Sequence, residues 1–327
     1  MKQIILYVLV TLFVIAAIFI FVRLSPSGEI KDYAAYYIDN KASPVGHQVK
    51  VSFFGVSTLL FDDGETQILI DGFFSRPSMR RVLFTKMASD TVRIDNVIKK
   101  YGMNRVKGIF VTHSHFDHAF DVAYTTRRTG ANLYGSRSTL NIARGGAVAE
   151  SQLKPFQPYE IFTLGKFTVQ IIPSKHSPNN GLKDDGVEIE TPLNQPAKMK
   201  AYSEGGSFDF YIHHDGNSIY VKPSPNYIEG RLDNLRADVL FLGIATISNQ
   251  DSLWKEKFYE QNVGKLKPKI LIPLHWDNFF RPLSDNLVML PRFVKSSPED
   301  FDFMIRKAKA DKFDFKILQG GKSILLF

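Results

Sequence analysis

The distribution of apolar positions divides the chain into one unbroken hydrophobic stretch and a long remainder of short patterned segments. Residues 4–22 are almost continuously apolar. As a helix rising about 1.5 Å per residue, this stretch nearly crosses the ~30 Å hydrocarbon core of a bilayer. A cleavable signal peptide is the alternative, but its apolar region is usually about 7 to 15 residues long and ends at a small-x-small site. Phe19-Ile20-Phe21-Val22-Arg23-Leu24 offers no such site, so the pattern predicts an uncleaved transmembrane anchor.

The remainder alternates short apolar runs with turn residues. Near its start, three runs separated by Gly55 and by Asp63-Gly64 are typical of strands joined by tight turns. A buried strand is predicted at 106–112, followed by a helix at 119–128 that Gly130 ends. In the second half the pattern predicts strands at 167–173, 208–213, 218–222, 239–242 and 269–274. It also predicts helices near 253–263 and 298–310 and a closing hairpin through Gly320-Gly321. Hairpins alternating with helix-linked strands indicate an α/β fold with two sheets sandwiched by helices.

This pattern predicts three parts of the chain. Residues 1–23 form the membrane anchor, residues 24–48 form a linker rich in turn residues, and residues 49–327 form one domain. The last part is long enough to bury a sizeable core. The chain has no cysteine, which excludes disulfides and a lipoprotein attachment site.

The densest group of chemically active side chains follows the strand predicted at 106–112, where the chain reads His113-Ser114-His115-Phe116-Asp117-His118. Three imidazoles and a carboxylate combine the nitrogen and oxygen ligands that zinc and its transition-metal neighbours prefer. In an extended segment His113 and His115 point the same way, while Asp117 and His118 can face a second position as the chain turns into the helix. This hexapeptide predicts a metal site on a strand-to-helix loop.

The hexapeptide resembles the His-x-His-x-Asp-His signature of the metallo-β-lactamase superfamily. The similarity extends over most of the chain after the linker. Asp71 ends a strand as an aspartate does in the opening meander of that family, and His176 follows a strand as the third metal-site histidine does. His275-Trp276 is similar to the final histidine motif in a branch that contains ascorbate-phosphate lactonase and N-acyl-phosphatidylethanolamine phospholipase D. The resemblance implies an αββα sandwich.

The same resemblance implies a centre with two metal positions. The first position would be formed by His113, His115 and His176. The second would be formed by Asp117, His118 and His275. We expect one or two zinc ions there, with manganese or iron as alternatives. Asp117 would also handle protons, and Asp71 would hydrogen-bond the ligand loop and orient it.

Two positions depart from the family pattern. The family usually bridges its two ions with an aspartate after the strand that corresponds to residues 218–222, where this chain has Ser224. Because a hydroxyl bridges cations more weakly than a carboxylate, three interpretations stay open: a serine- or water-bridged pair, a single tight metal, or a degenerate site. Val56 stands where related sequences often have a histidine. The remaining histidines are expected to lie outside the centre; they are His47, His213 and His214.

The chain is basic, with a formal net charge of +8 and a pI near 9.3. Its positive residues are scattered, with only pairs such as Arg80-Arg81 and Arg127-Arg128, which argues against nucleic acid as a partner. Anionic lipid headgroups or phosphorylated substrates explain the charge more simply. A short basic amino terminus before the first apolar helix favours an extracytoplasmic catalytic domain on a single-pass anchor.

These patterns predict a membrane-anchored metal-dependent hydrolase in which hydroxide on the metal attacks an ester, lactone or phosphodiester. Small-molecule or lipid-like substrates are expected, phosphorylated ones included. Two alternatives remain: a metal-binding or sensory protein that has lost turnover, and a nuclease-type member of the same superfamily. The polar segment 177–207, with Asn179-Asn180-Gly181, is expected to be either a lid or substrate wall beside the metals or a surface insertion.

Overall fold

The strands follow the short apolar runs of the sequence. The computed structural model describes residues 2–178, 183–294 and 297–327. Within these ranges the strands, in chain order, are β1 (Val49–Phe53), β2 (Leu59–Asp62), β3 (Gln67–Ile70), β4 (Val106–Phe110), β5 (Asn132–Gly135), β6 (Leu153–Pro155), β7 (Ile161–Leu164), β8 (Phe167–Pro173), β9 (Phe208–His214), β10 (Asn217–Lys222), β11 (Val239–Gly243), β12 (Ile270–Leu274), β13 (Asp314–Phe315) and β14 (Ser323–Leu326). Asn179, Asn180 and Gly181 lie outside the described residues.

These strands form two mixed sheets, each of seven strands within the described ranges. The first has the order β14-β1-β2-β3-β4-β5-β6 and the second β13-β12-β11-β10-β9-β8-β7. The opening meander predicted from the sequence is confirmed, because β1, β2 and β3 pair antiparallel in succession. From β3 to β6 the pairing is parallel. In the second sheet the strands are antiparallel from β7 to β10 and parallel from β10 to β13.

The helices connect the parallel strands and cover the sheets. In chain order they are α1 (Lys2–Leu24), α2 (Met79–Phe84), α3 (Thr91–Lys100), α4 (Phe116–Ala119), α5 (Val122–Thr129), α6 (Arg137–Gly145), α7 (Ser252–Tyr259) and α8 (Ser297–Asp311). A π-helical stretch, Glu260–Gly264, continues α7. Short 3₁₀ turns lie at Ile30–Tyr36, Glu150–Gln152, Met199–Ala201 and Ile247–Asn249.

The layers pack as helices, sheet, sheet and helices. Alternate residues of a strand point to opposite faces, so Phe61 and Phe110 face the second sheet, where their rings meet Phe241 at 5.9 Å and Phe210 at 5.7 Å between centroids. The opposite face of the first sheet packs against α2 to α6 through a second apolar cluster. Helices α7 and α8 pack on the second sheet through residues such as Phe258 and Phe301. This is the αββα sandwich that the resemblance implied.

Two predicted elements differ from the structure. The helix expected from residue 119 begins only at Val122, because the helix is interrupted after α4. At the interruption the buried carboxylate of Asp121 accepts hydrogen bonds from Phe74 N and Ser75 N. The prediction of a closing hairpin through Gly320-Gly321 is wrong. Strand β13 pairs with β12 in the second sheet, whereas β14 pairs with β1 in the first. The turn at Gly321, with φ at 71°, carries the chain from one sheet to the other.

Helix α1 has the length and apolar composition of a membrane anchor or a signal sequence, and none of its residues is buried against the protein. The chain after it lies on the domain. Phe293 N donates to Arg23 O at 3.0 Å, and Ser27 N donates to Leu290 O at 2.9 Å. Ile317 N donates to Tyr36 O at 2.8 Å. The segment predicted as a linker therefore contacts the body at several points.

Candidate metal centre

Three loops at one edge of the sandwich bring the six predicted ligands together. The loop from β4 into α4 carries four of them, the turn after β8 carries His176, and the residue after β12 is His275. The ligand atoms fall into two groups, in each of which they lie within 4.8 Å of one another. The first triad is His113, His115 and His176. The second triad is Asp117, His118 and His275.

The first triad consists of three imidazoles that face one point. Their ring centroids are 4.7 to 4.9 Å apart. His113 Nε2 is buried and has no hydrogen-bond partner among the described residues. His115 Nε2 lies 3.1 Å from the Asp184 carboxylate, which leaves its Nδ1 for another ligand. The Asp184 contact fixes the ring in the manner of the outer-shell carboxylates that orient metal-binding histidines.

The second triad adds a carboxylate. Asp117 Oδ2 lies 3.3 Å from His275 Nε2 and 3.7 Å from His118 Nε2. His118 Nε2 is buried and, in the part of the chain that the structure describes, has no hydrogen-bond partner. The two triads adjoin, because the rings of His113 and His118 are 3.9 Å apart between centroids.

The electrostatics of these groups favour a cation. Burial, reinforced by the neighbouring histidines, lowers the pKa of His176 to about 3 and that of His113 well below its usual value. Burial alone would raise the pKa of Asp117, but His118, His275 and His115 outweigh it and hold that pKa below its usual range. The neutral imidazoles of His113 and His176 and the ionised carboxylate of Asp117 are ligands that zinc, manganese or iron can bind. The unpaired buried nitrogens, each costing about 1–3 kcal/mol, would be satisfied by such an ion.

Asp71 lies behind the second triad rather than within it. Its buried carboxylate lies 2.8 Å from His118 Nδ1 and accepts hydrogen bonds from Thr112 N at 2.9 Å and from Ser57 Oγ. Because this carboxylate is an acceptor, it favours the tautomer of His118 that carries a proton on Nδ1 and presents Nε2 to Asp117. Burial alone would lower the pKa of His118, but Asp71 and Asp117 outweigh it and raise that pKa. Asp71 also holds Thr112, the residue before His113, against the end of β3.

A buried ion pair supports His275, and no sequence signal pointed to it. Arg76 Nη2 contacts Asp277 Oδ2 at 2.5 Å, and neither side chain has any exposed surface. Asp277 Oδ1 accepts from Val56 N at 2.7 Å, while His275 N donates to Val56 O at 2.7 Å. Gly55 makes room for this arrangement, since a Cβ there would lie 2.1 Å from Arg76 Nη1. Val56, where related sequences often have a histidine, thus holds the backbone of His275.

Four residues around the centre have left-handed backbones that only glycine adopts at low cost. The φ angles are 54° at Val56, 57° at Asp71, 45° at Arg76 and 60° at His275. Each such residue costs on the order of 1–3 kcal/mol and persists only where its surroundings hold it in place. At His275 and at the residues that support it and His118, the hydrogen bonds and the buried ion pair described above hold these conformations in place.

Ser224 lies two residues beyond β10 and is buried. Within the described residues, neither triad contains a carboxylate other than that of Asp117. The neighbours of Ser224 support the His176 turn instead. Lys222 Nζ donates to Ser174 Oγ and to the Asp209 carboxylate, both at 2.9 Å, and Asn226 Nδ2 donates to His176 O at 2.6 Å. These supporting residues carry no recognisable sequence motif.

The other three histidines lie elsewhere. His47 is exposed and lies 2.9 Å from the Asp215 carboxylate. His214 is fully buried and pairs with Asp63 at 3.0 Å, while His213 packs edge-on against Tyr211. None of the three belongs to either triad.

The described part of the long segment, residues 183–207, forms a wall beside the first triad. Ser114 N donates to Glu204 O at 2.9 Å, and the Glu204 carboxylate accepts from Gly186 N at 2.7 Å. Farther along, Asn141 Nδ2 on α6 donates to Ile189 O at 2.7 Å. These bonds join the segment to the ligand loop, and Asp184 reaches His115 from it. Of the two alternatives for this segment, its contacts favour the wall.

The fold and the paired triads define an αββα protein with a candidate metal centre at one edge of its sheets. Residues 51–215 match the model of the metallo-beta-lactamase superfamily. That match covers half of the 327 residues, and the chain belongs to this superfamily.

Two curated relatives support the assignment. A UPF0173 metal-dependent hydrolase of Pyrobaculum islandicum is 26% identical over 255 residues, which cover 77% of this chain and 90% of the relative. A UPF0173 metal-dependent hydrolase of Staphylococcus aureus is 23% identical over 287 residues, covering 84% and 99% of the two chains.

Solved structures share the fold. Igni18, a metallo hydrolase of Ignicoccus hospitalis, has a TM-score of 0.53 at 15% identity over 86% of this chain and 99% of its own. YhfI, a metallo-beta-lactamase fold protein of Bacillus subtilis, has a TM-score of 0.52 at 14% identity over 86% of this chain and 100% of its own.

Proposed function

We propose that the chain is a metal-dependent hydrolase, with zinc as its cation, that cleaves an ester, lactone or phosphodiester bond at a membrane. The observation that carries the proposal is the pair of adjoining triads, in which His113 Nε2 and His118 Nε2 are buried and have no hydrogen-bond partner among the described residues. The superfamily match and the names of the UPF0173 relatives support hydrolysis as the reaction. A bound cation of this kind lowers the pKa of a water molecule and polarises the scissile carbonyl or phosphoryl group.

The chain's own residues divide the work. The six triad residues hold the cation or cations, and Asp71 keeps His118 in the tautomer that exposes Nε2. Asp117 is ionised and lies between His118 and His275, so its carboxylate would accept a hydrogen bond from the attacking water and orient it. The Arg76–Asp277 pair fixes the backbone at His275.

A cluster of phenylalanine rings beside His275 favours a lipid-like substrate. The Phe279 ring lies 5.5 Å from that of His275, 6.2 Å from that of Phe116 and 4.5 Å from that of Phe280, all between centroids. Apolar side chains lining a few convergent polar groups are typical of small-molecule sites. Anchoring by α1 would hold this phenylalanine cluster near a bilayer, where acyl chains are abundant.

The metal content of the full chain purified in detergent tests the proposal. We expect one or two zinc ions per chain by mass spectrometry, and cleavage of nitrophenyl esters or of bis-nitrophenyl phosphate. His115→Ala should abolish both metal binding at the first triad and turnover. His47→Ala is the matched control, because His47 is exposed and contacts only the Asp215 loop among the described residues. Full activity in the His115→Ala protein would refute the assignment.

A second candidate is a metal-binding or sensory protein without turnover, and Ser224 favours it because the hydroxyl replaces a bridging carboxylate. Stoichiometric zinc without cleavage across esters, lactones, phosphodiesters and RNA would support this candidate. RNA in the screen also covers the nuclease-type alternative.

The anchor and its orientation can be tested with one added thiol, since the chain has no cysteine. Val45 is 69% exposed and lies in the segment before β1. With the amino end inside, Val45→Cys should react with a membrane-impermeant maleimide in intact cells. Labelling only after lysis would place the domain on the cytoplasmic side.

A further inference from the structure

Helix α2 presents exposed apolar and basic side chains together. Phe84 is 77% exposed and Leu83 is 58% exposed, although both belong to a helix whose Val82 is buried in the helical layer. Single exposed apolar residues are common, but these two are adjacent and flanked by cations. The α2 surface, as we define it, consists of Arg80, Arg81, Leu83, Phe84 and Lys86.

The charge of the α2 surface is unbalanced. Between Asp71 and Asp90 the sequence contains no acidic residue. Arg80, Arg81 and Lys86 are all exposed, and among the ion pairs of residues 2–178, 183–294 and 297–327 none involves them. Three unpaired cations beside two exposed apolar side chains form the combination by which interfacial helices bind anionic lipid.

A series of hydrogen bonds connects the segment before α2 to the chain just after α1. Arg76, three residues before α2, donates to Asn278 O at 3.0 Å. Asn278 N donates to Val288 O at 2.8 Å, and two residues later Leu290 O accepts from Ser27 N at 2.9 Å. Ser27 is the third residue after α1. These hydrogen bonds connect the segment before α2 to the segment that follows α1.

Helix α2 is also connected to the metal centre. Val82 of α2 belongs to one apolar cluster with Phe116, the residue before Asp117, and Phe279 packs against this cluster. Arg76 at the base of α2 pairs with Asp277, two residues after His275. This cluster and this ion pair connect α2 and the segment before it to the segments that carry Asp117 and His275.

We propose that the α2 surface binds the bilayer in which α1 is anchored, with Leu83 and Phe84 at the acyl boundary and the three cations on anionic headgroups. This inference rests on the membrane anchoring in the proposed function. It deepens that function, because a domain held by α1 and α2 together keeps the metal centre at the lipid surface. The substrate class that fits is an amphiphile drawn from the membrane.

Single cysteines labelled with an environment-sensitive fluorophore test the inference in the full chain. Phe84→Cys reports the α2 surface, and Phe13→Cys, in the middle of α1, reports anchoring. Ile161→Cys is the matched control, because Ile161 is 59% exposed on β7, at the sheet edge opposite β13 and the segment after α1. Each protein is reconstituted in vesicles of phosphatidylcholine and in an equal mixture of phosphatidylcholine and phosphatidylglycerol, with and without nitroxide-labelled lipid.

The inference predicts blue-shifted emission and nitroxide quenching at positions 13 and 84, with position 161 unchanged. Reversing charge with Arg80→Glu and Arg81→Glu should reduce quenching at position 84 by at least half in the anionic vesicles and leave position 13 unaffected. If position 84 behaves like position 161 while position 13 is quenched, the anchor stands and the α2 surface is left for a protein partner, which overturns the inference. If position 13 is also unquenched, anchoring itself fails and the inference fails with it.

Discussion

Replacing Asp71 by asparagine tests how the ligand loop is oriented. The two side chains have the same shape, so the change removes charge and one acceptor without leaving a cavity. In the native protein Oδ1 accepts from Thr112 N, while Oδ2 accepts from Ser57 Oγ and lies 2.8 Å from His118 Nδ1. If the amide oxygen keeps the Thr112 bonds, the amide NH₂ faces His118 Nδ1. The ring must then accept there and carry its proton on Nε2, the nitrogen that faces Asp117.

The substitution should lower both the metal affinity and the free energy of unfolding. Loss of an orienting partner typically lowers metal affinity 10- to 100-fold, which is about 1.4–2.7 kcal/mol. Loss of the hydrogen bond between a charged acceptor and His118 should lower the free energy of unfolding by about 1.5–3 kcal/mol. Both effects arise at one buried position, because the side chain of Asp71 is 1% exposed.

Competition with a chromophoric chelator measures the zinc affinity of the full chain, and chemical denaturation measures its stability. Asp300→Asn is the control for affinity, since Asp300 is another buried carboxyl group but lies on α8 and belongs to neither triad. A zinc affinity within twofold of the native value in Asp71→Asn would refute the orienting role, whatever happens to stability.

Three further predictions concern separate parts of the molecule. Burial raises the pKa of Asp300 to about 7, so the stability that its protonated form provides is complete below its unfolded pKa near 4 and is lost as pH rises through 7. Between pH 4 and pH 8 the free energy of unfolding should therefore fall by an amount on the order of 4 kcal/mol, and Asp300→Asn should largely abolish that fall. An equal fall in the native and Asp300→Asn proteins would contradict this. Asp184→Asn should weaken zinc binding about 10- to 100-fold, whereas Glu188→Gln on the same wall should not; equal affinities by chelator competition would exclude Asp184 as the support of His115. Asp277→Ala should lower the free energy of unfolding by about 3–5 kcal/mol, because Arg76 is left buried and unpaired, whereas Glu188→Ala breaks only an exposed pair and should cost at most about 1 kcal/mol.

The sequence predicted most of what local patterns determine. The strands before His113, His176 and His275 are continuous apolar runs, and a strand end is a position that sequence alone can locate. The opening meander was equally clear, because its turns carry Gly55 and Asp63-Gly64. The layered αββα arrangement followed from the alternation of these elements and from the resemblance.

What the sequence could not provide depends on pairing between distant parts of the chain. Arg76 and Asp277 are 201 positions apart, and neither belongs to a motif until the fold brings them together. Asp184 reaches His115 from a polar segment without periodicity. The closing hairpin was wrong because a Gly-Gly turn predicts a reversal of direction but not which sheet receives the next strand.

The pairing of β14 with β1 has a consequence for the order of assembly. Residues Ser323–Leu326 complete the edge of a sheet whose other strands all lie before residue 156. During synthesis the edge of β1, with its open N–H and C=O groups, therefore waits until the second sheet and α8 have emerged. An unpaired strand edge is a site where other chains can attach. We infer that shortening or extending the sequence near β14 affects the yield of soluble protein more than it affects metal binding by the chains that fold.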